Sequence, residues 1–233
     1  MSRHKGIDIR FNFPFKSAVK QGDGSILIDG GDQGMIETDL ILWAIGRVPN
    51  TKGLGLEEVG VALDKDGAVI VGDDNRSNIP SIYAVGDVIN RVQLTPVAIR
   101  EGHAFADSVF GGNPRTVDYR NIPTAVFANP PIASVGLTED EAREQFGAIN
   151  VYKSDFRAMK NVLAGRNERA FYKMVTDAKT DRVLGLHLIG PDSAEILQAA
   201  AIAVKAGLTK AEDRKSTRLN SSHVSQSRMP SSA

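Results

Sequence analysis

The chain contains no cysteine. That excludes structural disulfides, thiolate metal sites and any thiol nucleophile carried by these 233 residues. It also has no charge imbalance: 28 basic residues face 28 acidic ones, so no electrostatic footprint points to nucleic acid or to an anionic membrane. No apolar run approaches the roughly 20 residues of a membrane span, and the N-terminus lacks a signal-peptide core. A cytoplasmic setting is the expectation. The four histidines are scattered, and no His cluster or carboxylate pair stands at metal-binding spacing. His4 has no constellation around it, and His187, in an alternating strand, reads as a satisfied core or edge histidine. What is present is a hydrophobic content of 42%, enough for a real core in one or two domains.

The stretch Ser81–Phe110 organises the rest. Ile82–Val85 is a short apolar run that stops at Gly86-Asp87, the pattern of a buried parallel strand ending at its carboxyl edge, where open α/β sheets bind ligands. A carboxylate there, beside a glycine that allows close approach, is placed to accept hydrogen bonds from hydroxyls; the other reading is that Asp87 caps a strand-to-loop turn. Thr95-Pro96 predicts a helix start, with Thr as N-cap and Pro at the first helical position. Ala98, Gly102, Phe105 and Val109 share one face of that helix. Its N-terminus presents free N–H groups and a partial positive charge a few residues after Asp87.

Upstream, residues 1–6 read as the last turn of a helix and Ile7, Ile9 and Phe11 as an alternating strand. Ser17–Val19 and Ile26–Ile28 can pair across Gly22-Asp23-Gly24, and Leu40–Ile45 reads as a strand buried on both faces. Asp64–Gly67 is a polar turn between Val61–Leu63 and Ala68–Val71. Beyond Tyr119 the pattern becomes that of an α+β unit. Thr124–Phe127 and Ile132–Val135 are strands, and Thr138 with Glu141 forms a capping box for a helix that ends at Gly147. Val151–Phe156 is a strand, and Phe171–Val175 with Val183–Ile189 a hairpin across Asp177–Asp181. Asp192 or Ser193 caps a long helix stopped by Gly207, with Ile196, Ala199, Ala200, Ala203 and Val204 as its apolar face.

IYAVGDV, LTPVAI and EGHAFADSVFGG, with AIGRVPNT, NIPTAVF, PPIASVGLTEDEA and AVKAGLTKA, resemble the pyridine nucleotide–disulfide oxidoreductases, and within them the glutathione-disulfide reductases most closely. The resemblance runs from about Gly6 to Glu212. It implies an α/β region that is part of a flavin- and nicotinamide-nucleotide-binding fold, followed by an α+β dimerisation domain. The divisions it implies are residues 1–50 as the end of an NAD(P)H-binding domain, 51–119 as a central FAD-binding segment and 120–212 as the part that forms a homodimer. For FAD it implies Asp87 on the ribityl hydroxyls, Leu94-Thr95 as backbone donors to the flavin pyrimidine edge, and Gly86, Gln93 and Ala125 beside them. For NADPH it implies Gly46 close to the dinucleotide and Arg47 near its phosphates, although Arg47 also reads as a solvated turn residue. His103 stands where some relatives carry an arginine that pairs with a glutathione carboxylate; a surface histidine is the other reading.

The family's redox-active cysteine pair lies on a flavin domain that this chain does not contain, and its acid–base histidine is missing too. The expectation is therefore a fragment of an FAD-dependent NADPH:glutathione-disulfide reductase, inactive alone. A non-catalytic dimerisation module stands as the alternative, as do trypanothione reductase and dihydrolipoamide dehydrogenase, the last disfavoured by Leu94-Thr95-Pro96 where it usually has Ala-His. Asp213–His223, DRKSTRLNSSH, matches the translation of a common sequencing-library adaptor, so residues 213–233 are expected to be a non-native, disordered tail.

Overall fold

The computed structural model describes residues 6–215. They form two compact units, the first running to Asp118 and the second starting at Tyr119. Every strand pairing among the described residues is antiparallel.

In the first unit, β1 (Ser17–Lys20), β2 (Ile26–Asp29) and β3 (Met35–Thr38) make a three-stranded sheet in chain order. The expected hairpin forms because Asp23 folds its own turn: its carboxylate accepts the Ser25 N–H at 3.0 Å and the Ser25 hydroxyl at 2.8 Å. The expected strand at Ile7–Phe11 does not form, and Phe11 is exposed. Leu40–Ile45 is not a buried strand either. The Thr38 hydroxyl donates to the Leu40 carbonyl at 3.1 Å just past the end of β3, and beyond that point no described segment supplies a ladder. A strand exists only where its backbone groups find partners, so Leu40, Leu42, Trp43 and Ile45 lie exposed.

Residues 51–94 hold a small apolar core of Val61, Val69 and Ile89, with Leu63, Val71, Ile82 and Ala84 against it. The polar turn at Asp64–Gly67 is present, closed by a single bridge between Leu63 and Val69. Ile82–Val85 does not become a parallel strand. The chain doubles back on itself instead: Ala84 N–H donates to Asn75 O and Ser77 N–H to Ile82 O, and Arg76 bridges Tyr83 in antiparallel sense. Pairing with the segment just upstream closes a short loop at little entropic cost and competes with any distant partner. Helix α1 (Thr95–Val109) follows, with Leu94 as N-cap and Thr95 as its first residue, one position earlier than expected. Its buried face is Val97, Glu101 and Ala104, rather than the row through Ala98, Gly102, Phe105 and Val109; Val109 is exposed.

The second unit is a five-stranded sheet with the order β4-β5-β8-β7-β6, built from β4 (Thr124–Val126), β5 (Ile132–Gly136), β6 (Ile149–Phe156), β7 (Ala170–Asp177) and β8 (Val183–Ile189). Helices α2 (Glu139–Phe146), α3 (Met159–Leu163), α4 (Ser193–Ala206) and α5 (Lys210–Lys215) complete it. The capping box of α2 is as expected, with Thr138 and Glu141 satisfying each other's backbone N–H groups. One sheet face packs Ala133, Val135 and Leu188 against Leu197, Ala201 and Val204 of α4. Out of phase with these, Val175 meets Ala142 of α2 on the other face. The buried residues of α4 are Ser193, Leu197, Ala201 and Val204; of the expected face only Val204 is among them, while Ile196 and Ala199 are exposed.

The boundary expected at Glu212 falls inside α5, which continues to Lys215. A second capping box, missed in the sequence, starts it: Thr209 N–H donates to the Glu212 carboxylate at 2.8 Å, and Glu212 N–H returns to the Thr209 hydroxyl at 3.2 Å. The Ala211 N–H also donates to Asp181 Oδ2 at 2.9 Å, which fastens α5 to the β7–β8 turn. The rest of the expected tail, like His4, lies outside the described residues.

His187 on β8 is half-buried, with Nε2 3.1 Å from the Leu137 carbonyl, an acceptor, so Nε2 carries the proton. Burial holds its imidazole below the ordinary range; the Leu137 bond, Glu139 and Glu141 oppose that shift and Lys173 adds to it. Folding thus favours the neutral ring. Its contribution to stability is full above the unfolded value of about 6.5. It is lost as the pH falls from there through the lowered folded value. Urea unfolding of the second unit should therefore shift to lower midpoints between neutral pH and pH values near 5, and His187→Gln should flatten that slope. An unchanged slope in the variant would assign the acid sensitivity in this window to a group other than His187, since a carboxylate such as Glu139, held low by Lys173 and Arg143, contributes only below its unfolded value.

Candidate functional site

Gly86 and Asp87 open a short 3-10 turn, Gly86–Ile89, directly after the doubled-back segment. Gly86 takes φ +79, and a Cβ placed there would stand 3.2 Å from the Ala98 Cβ on α1, so glycine allows both the turn and the close approach of the helix. Val85, the residue before the turn, offers no side-chain cap. The Gly86 N–H is taken instead by the carboxylate of Glu101, at 2.5 Å, from a side chain only 1% exposed. No motif signalled this residue. The available signal was spacing: Glu101 falls four after Val97 and three before Ala104, on the buried face of α1.

The Asp87 carboxylate remains 54% exposed, with the Arg47 guanidinium 3.8 Å away as a loose ion pair. The structure therefore brings Arg47 and Asp87 together, although they are distant in sequence. Gly46 precedes Arg47 with φ +132, and a Cβ at that position would meet open space.

After the turn, the Gln93 amide donates to Asn90 Oδ1 at 2.9 Å and braces the loop into α1. Of the two backbone donors expected at the helix start, Leu94 N–H is turned back onto Val92 O at 2.9 Å. Val97 N–H is used by Leu94 O, and Pro96 has no N–H to give. Thr95 N–H makes no hydrogen bond among the described residues and is the donor left open at the positive end of α1. His103 is exposed on the same helix, two positions beyond Glu101. Ala125, in the second unit, is the half-buried middle residue of β4 and pairs with Ala133.

No group of three or more His, Cys, Asp or Glu side chains able to hold a metal occurs among the described residues, and no described helix is long and apolar enough to cross a membrane. The segment thus presents an exposed acceptor at Asp87, on the turn, and an open donor at Thr95, at the start of α1.

Residues 1–102 match the family model described as pyridine nucleotide-disulphide oxidoreductase, and residues 122–223 match the dimerisation domain of the same family. Glutathione reductase of Burkholderia cepacia is 48% identical over 211 residues, covering 90% of this chain and 46% of its own length. The chloroplastic/mitochondrial glutathione reductase of Pisum sativum is 49% identical over 83% of this chain and 35% of its own. Trypanothione reductase of Trypanosoma congolense is 41% identical over 86% of this chain and 41% of its own. The chain thus spans about half the length, or less, of the curated relatives it matches. Among solved structures, the HOCl-induced flavoprotein disulfide reductase RclA from Escherichia coli superposes with a TM-score of 0.82 at 28% identity, over 96% of this chain and 52% of that one. On these matches the chain belongs to the pyridine nucleotide-disulphide oxidoreductases.

Proposed function

We infer that the chain is the part of an FAD-dependent NADPH:glutathione-disulfide reductase that holds one edge of each cofactor site and the dimer interface. The observation that carries this reading is the exposed Asp87 carboxylate, set on the glycine turn beside the open Thr95 N–H, in a chain 48% identical to a glutathione reductase. The residues fit FAD: a ribityl chain needs a hydroxyl acceptor, which Asp87 supplies, and a flavin pyrimidine edge needs a backbone donor, which Thr95 supplies. When bound, FAD supplies the two-electron relay between NADPH and a disulfide. On this reading Arg47 leaves its loose pair with Asp87 to face the nucleotide phosphates, and residues 51–119 form the central flavin segment. Residues 120–212 form the homodimer interface, to which the exposed Ile196 and Ile202 of α4 offer apolar area. The setting is cytoplasmic.

The test is a chimera in which residues 6–212 of this chain replace the matching segment of the Burkholderia cepacia reductase, which keeps its own N-terminal half and its own C-terminal end. It should purify yellow with bound FAD and reduce glutathione disulfide with NADPH. A folded, dimeric but colourless chimera would sink the cofactor reading, and a preference for trypanothione disulfide would move the chain to that second enzyme. In the chimera Asp87→Ala should weaken FAD retention by about 1–3 kcal/mol, because hydroxyls left unpaired in a closed site lose their acceptor. Retention equal to the parent on dialysis, with circular dichroism unchanged, counts against Asp87.

A further inference from the structure

We propose that Glu101 is the positioning residue of the cofactor corner, a buried carboxylate that fixes Asp87 relative to the open end of α1. The proposal rests on the FAD reading above and adds to it a residue that touches no ligand.

The argument starts from an unusual burial. Glu101 is 1% exposed, on a helix face otherwise made of Val97 and Ala104. Side chains of this type are rarely buried unless their oxygens are bonded. One oxygen accepts the Gly86 N–H at 2.5 Å, a charge-assisted hydrogen bond to the first residue of the turn that carries Asp87. That amide stands at the start of the turn, where no side chain from Val85 caps it. Glu101 therefore acts as a cap delivered from a neighbouring helix.

The geometric consequence concerns two groups that must be met together by one ligand. Asp87 is covalently next to Gly86, and Thr95 is the first residue of the helix that carries Glu101. The loop between them is anchored to the segment upstream, with Arg91 Nη2 donating to the Val71 and Gly72 carbonyls at 3.0 and 2.9 Å and Val69 N–H to Val88 O at 3.0 Å, but none of these bonds reaches α1. The Gly86–Glu101 bond, with the close packing of Ala98 that the missing Cβ of Gly86 allows, ties the turn that carries Asp87 to the helix that starts at Thr95. Without it the turn keeps its anchors to residues 69–72 but loses this tie to α1, and a ligand has to order the two against each other on binding.

The test uses the full 233-residue chain, isotope-labelled for amide NMR, as wild type, Glu101→Gln and Glu101→Leu. Gln keeps an acceptor oxygen, whereas Leu keeps the volume and removes the acceptor. In the wild type the Gly86 amide should resonate at low field and be protected from exchange. Gln should retain the protection, and in Leu exchange should quicken about tenfold or more. The FAD arms use the chimera described above, which carries the rest of the site: FAD added to it, unchanged or with Glu101→Gln, should move the Asp87 and Thr95 amides together. In the Leu variant Thr95 should respond without Asp87, with affinity about tenfold weaker, as befits one lost ordering contact. A wild-type Gly86 amide that exchanges freely overturns the proposal without reference to either variant, and so does equal behaviour of Gln and Leu, which is what mere core packing predicts. A protected Gly86 amide in a folded chimera that shows no response to FAD supports the clamp and overturns the cofactor reading, so the two failures are distinguishable.

Discussion

Purified on its own, this chain should oxidise no NADPH in the presence of glutathione disulfide. Disulfide reduction proceeds through attack of a thiolate on sulfur, with a second thiol to resolve the mixed disulfide, and the sequence contains no cysteine to perform either step. No rearrangement of the residues present substitutes for that nucleophile: hydroxyls and imidazoles do not exchange with disulfides. The effect is therefore complete loss rather than a reduced rate. The assay is NADPH absorbance followed with glutathione disulfide and added FAD, against a heat-treated sample of the same protein. Heat-sensitive turnover above that control would overturn the thiol argument, while restored turnover in the chimera would locate the missing chemistry in the rest of the enzyme.

Gly185→Ala should destabilise the second unit by about 3 kcal/mol, the upper end of the usual cost of overpacking, because the obstacle is backbone. Gly185 of β8 faces Gly136 of β5 in the register of that ladder. A Cβ on Gly185 would run into the Leu137 carbonyl, and one on Gly136 into the Leu184 carbonyl. Neither obstacle is the flexible end of a side chain. Leu137 N–H donates to Leu184 O at 2.9 Å, and the Leu137 carbonyl also receives His187, so a displaced Leu137 gives up more than one bond. Gly147→Ala is the control. Gly147 has positive φ, +76, which Gly185 does not, but a Cβ there meets nothing within 4 Å, so only the backbone term of about 1 kcal/mol remains. Denaturant midpoints followed by circular dichroism compare the two; a Gly185 variant no worse than the Gly147 variant would mean that the strand crossing can open to admit a methyl group.

Elements closed by their own turns and caps were legible in the sequence. The β1–β2 hairpin is fixed by Asp23, α2 by the Thr138–Glu141 box, the β7–β8 hairpin by the polar residues between its strands and the end of α4 by Gly207, all local interactions. What depends on a distant neighbour was not. Leu40–Ile45 has the composition of a central strand, yet composition cannot supply the flanking ladders. Ile82–Val85 has a strand's apolar run, but its partner is Arg76 and its neighbours just upstream. Near the candidate site, the turn at Gly86-Asp87 and the helix start at Thr95-Pro96 were legible because a glycine and a proline mark their positions. Arg47 beside Asp87 and Glu101 beneath Gly86 were not, since each is a pairing between side chain and loop that hydrophobic periodicity does not encode.

The exposed stretch after β3 also makes the protein self-reporting. The chain has one tryptophan, Trp43, which is 56% exposed and meets the Phe15 ring edge-on at 4.7 Å. Indole emission therefore comes from the first unit alone and starts near its solvent-exposed wavelength, so an unfolding curve read at that wavelength is silent about the five-stranded sheet. Tyr152 and Tyr172 sit in β6 and β7 of that sheet. Tryptophan fluorescence and far-ultraviolet ellipticity recorded on one sample separate the melting of the two units, and noncoincident curves are the signature of independent folding.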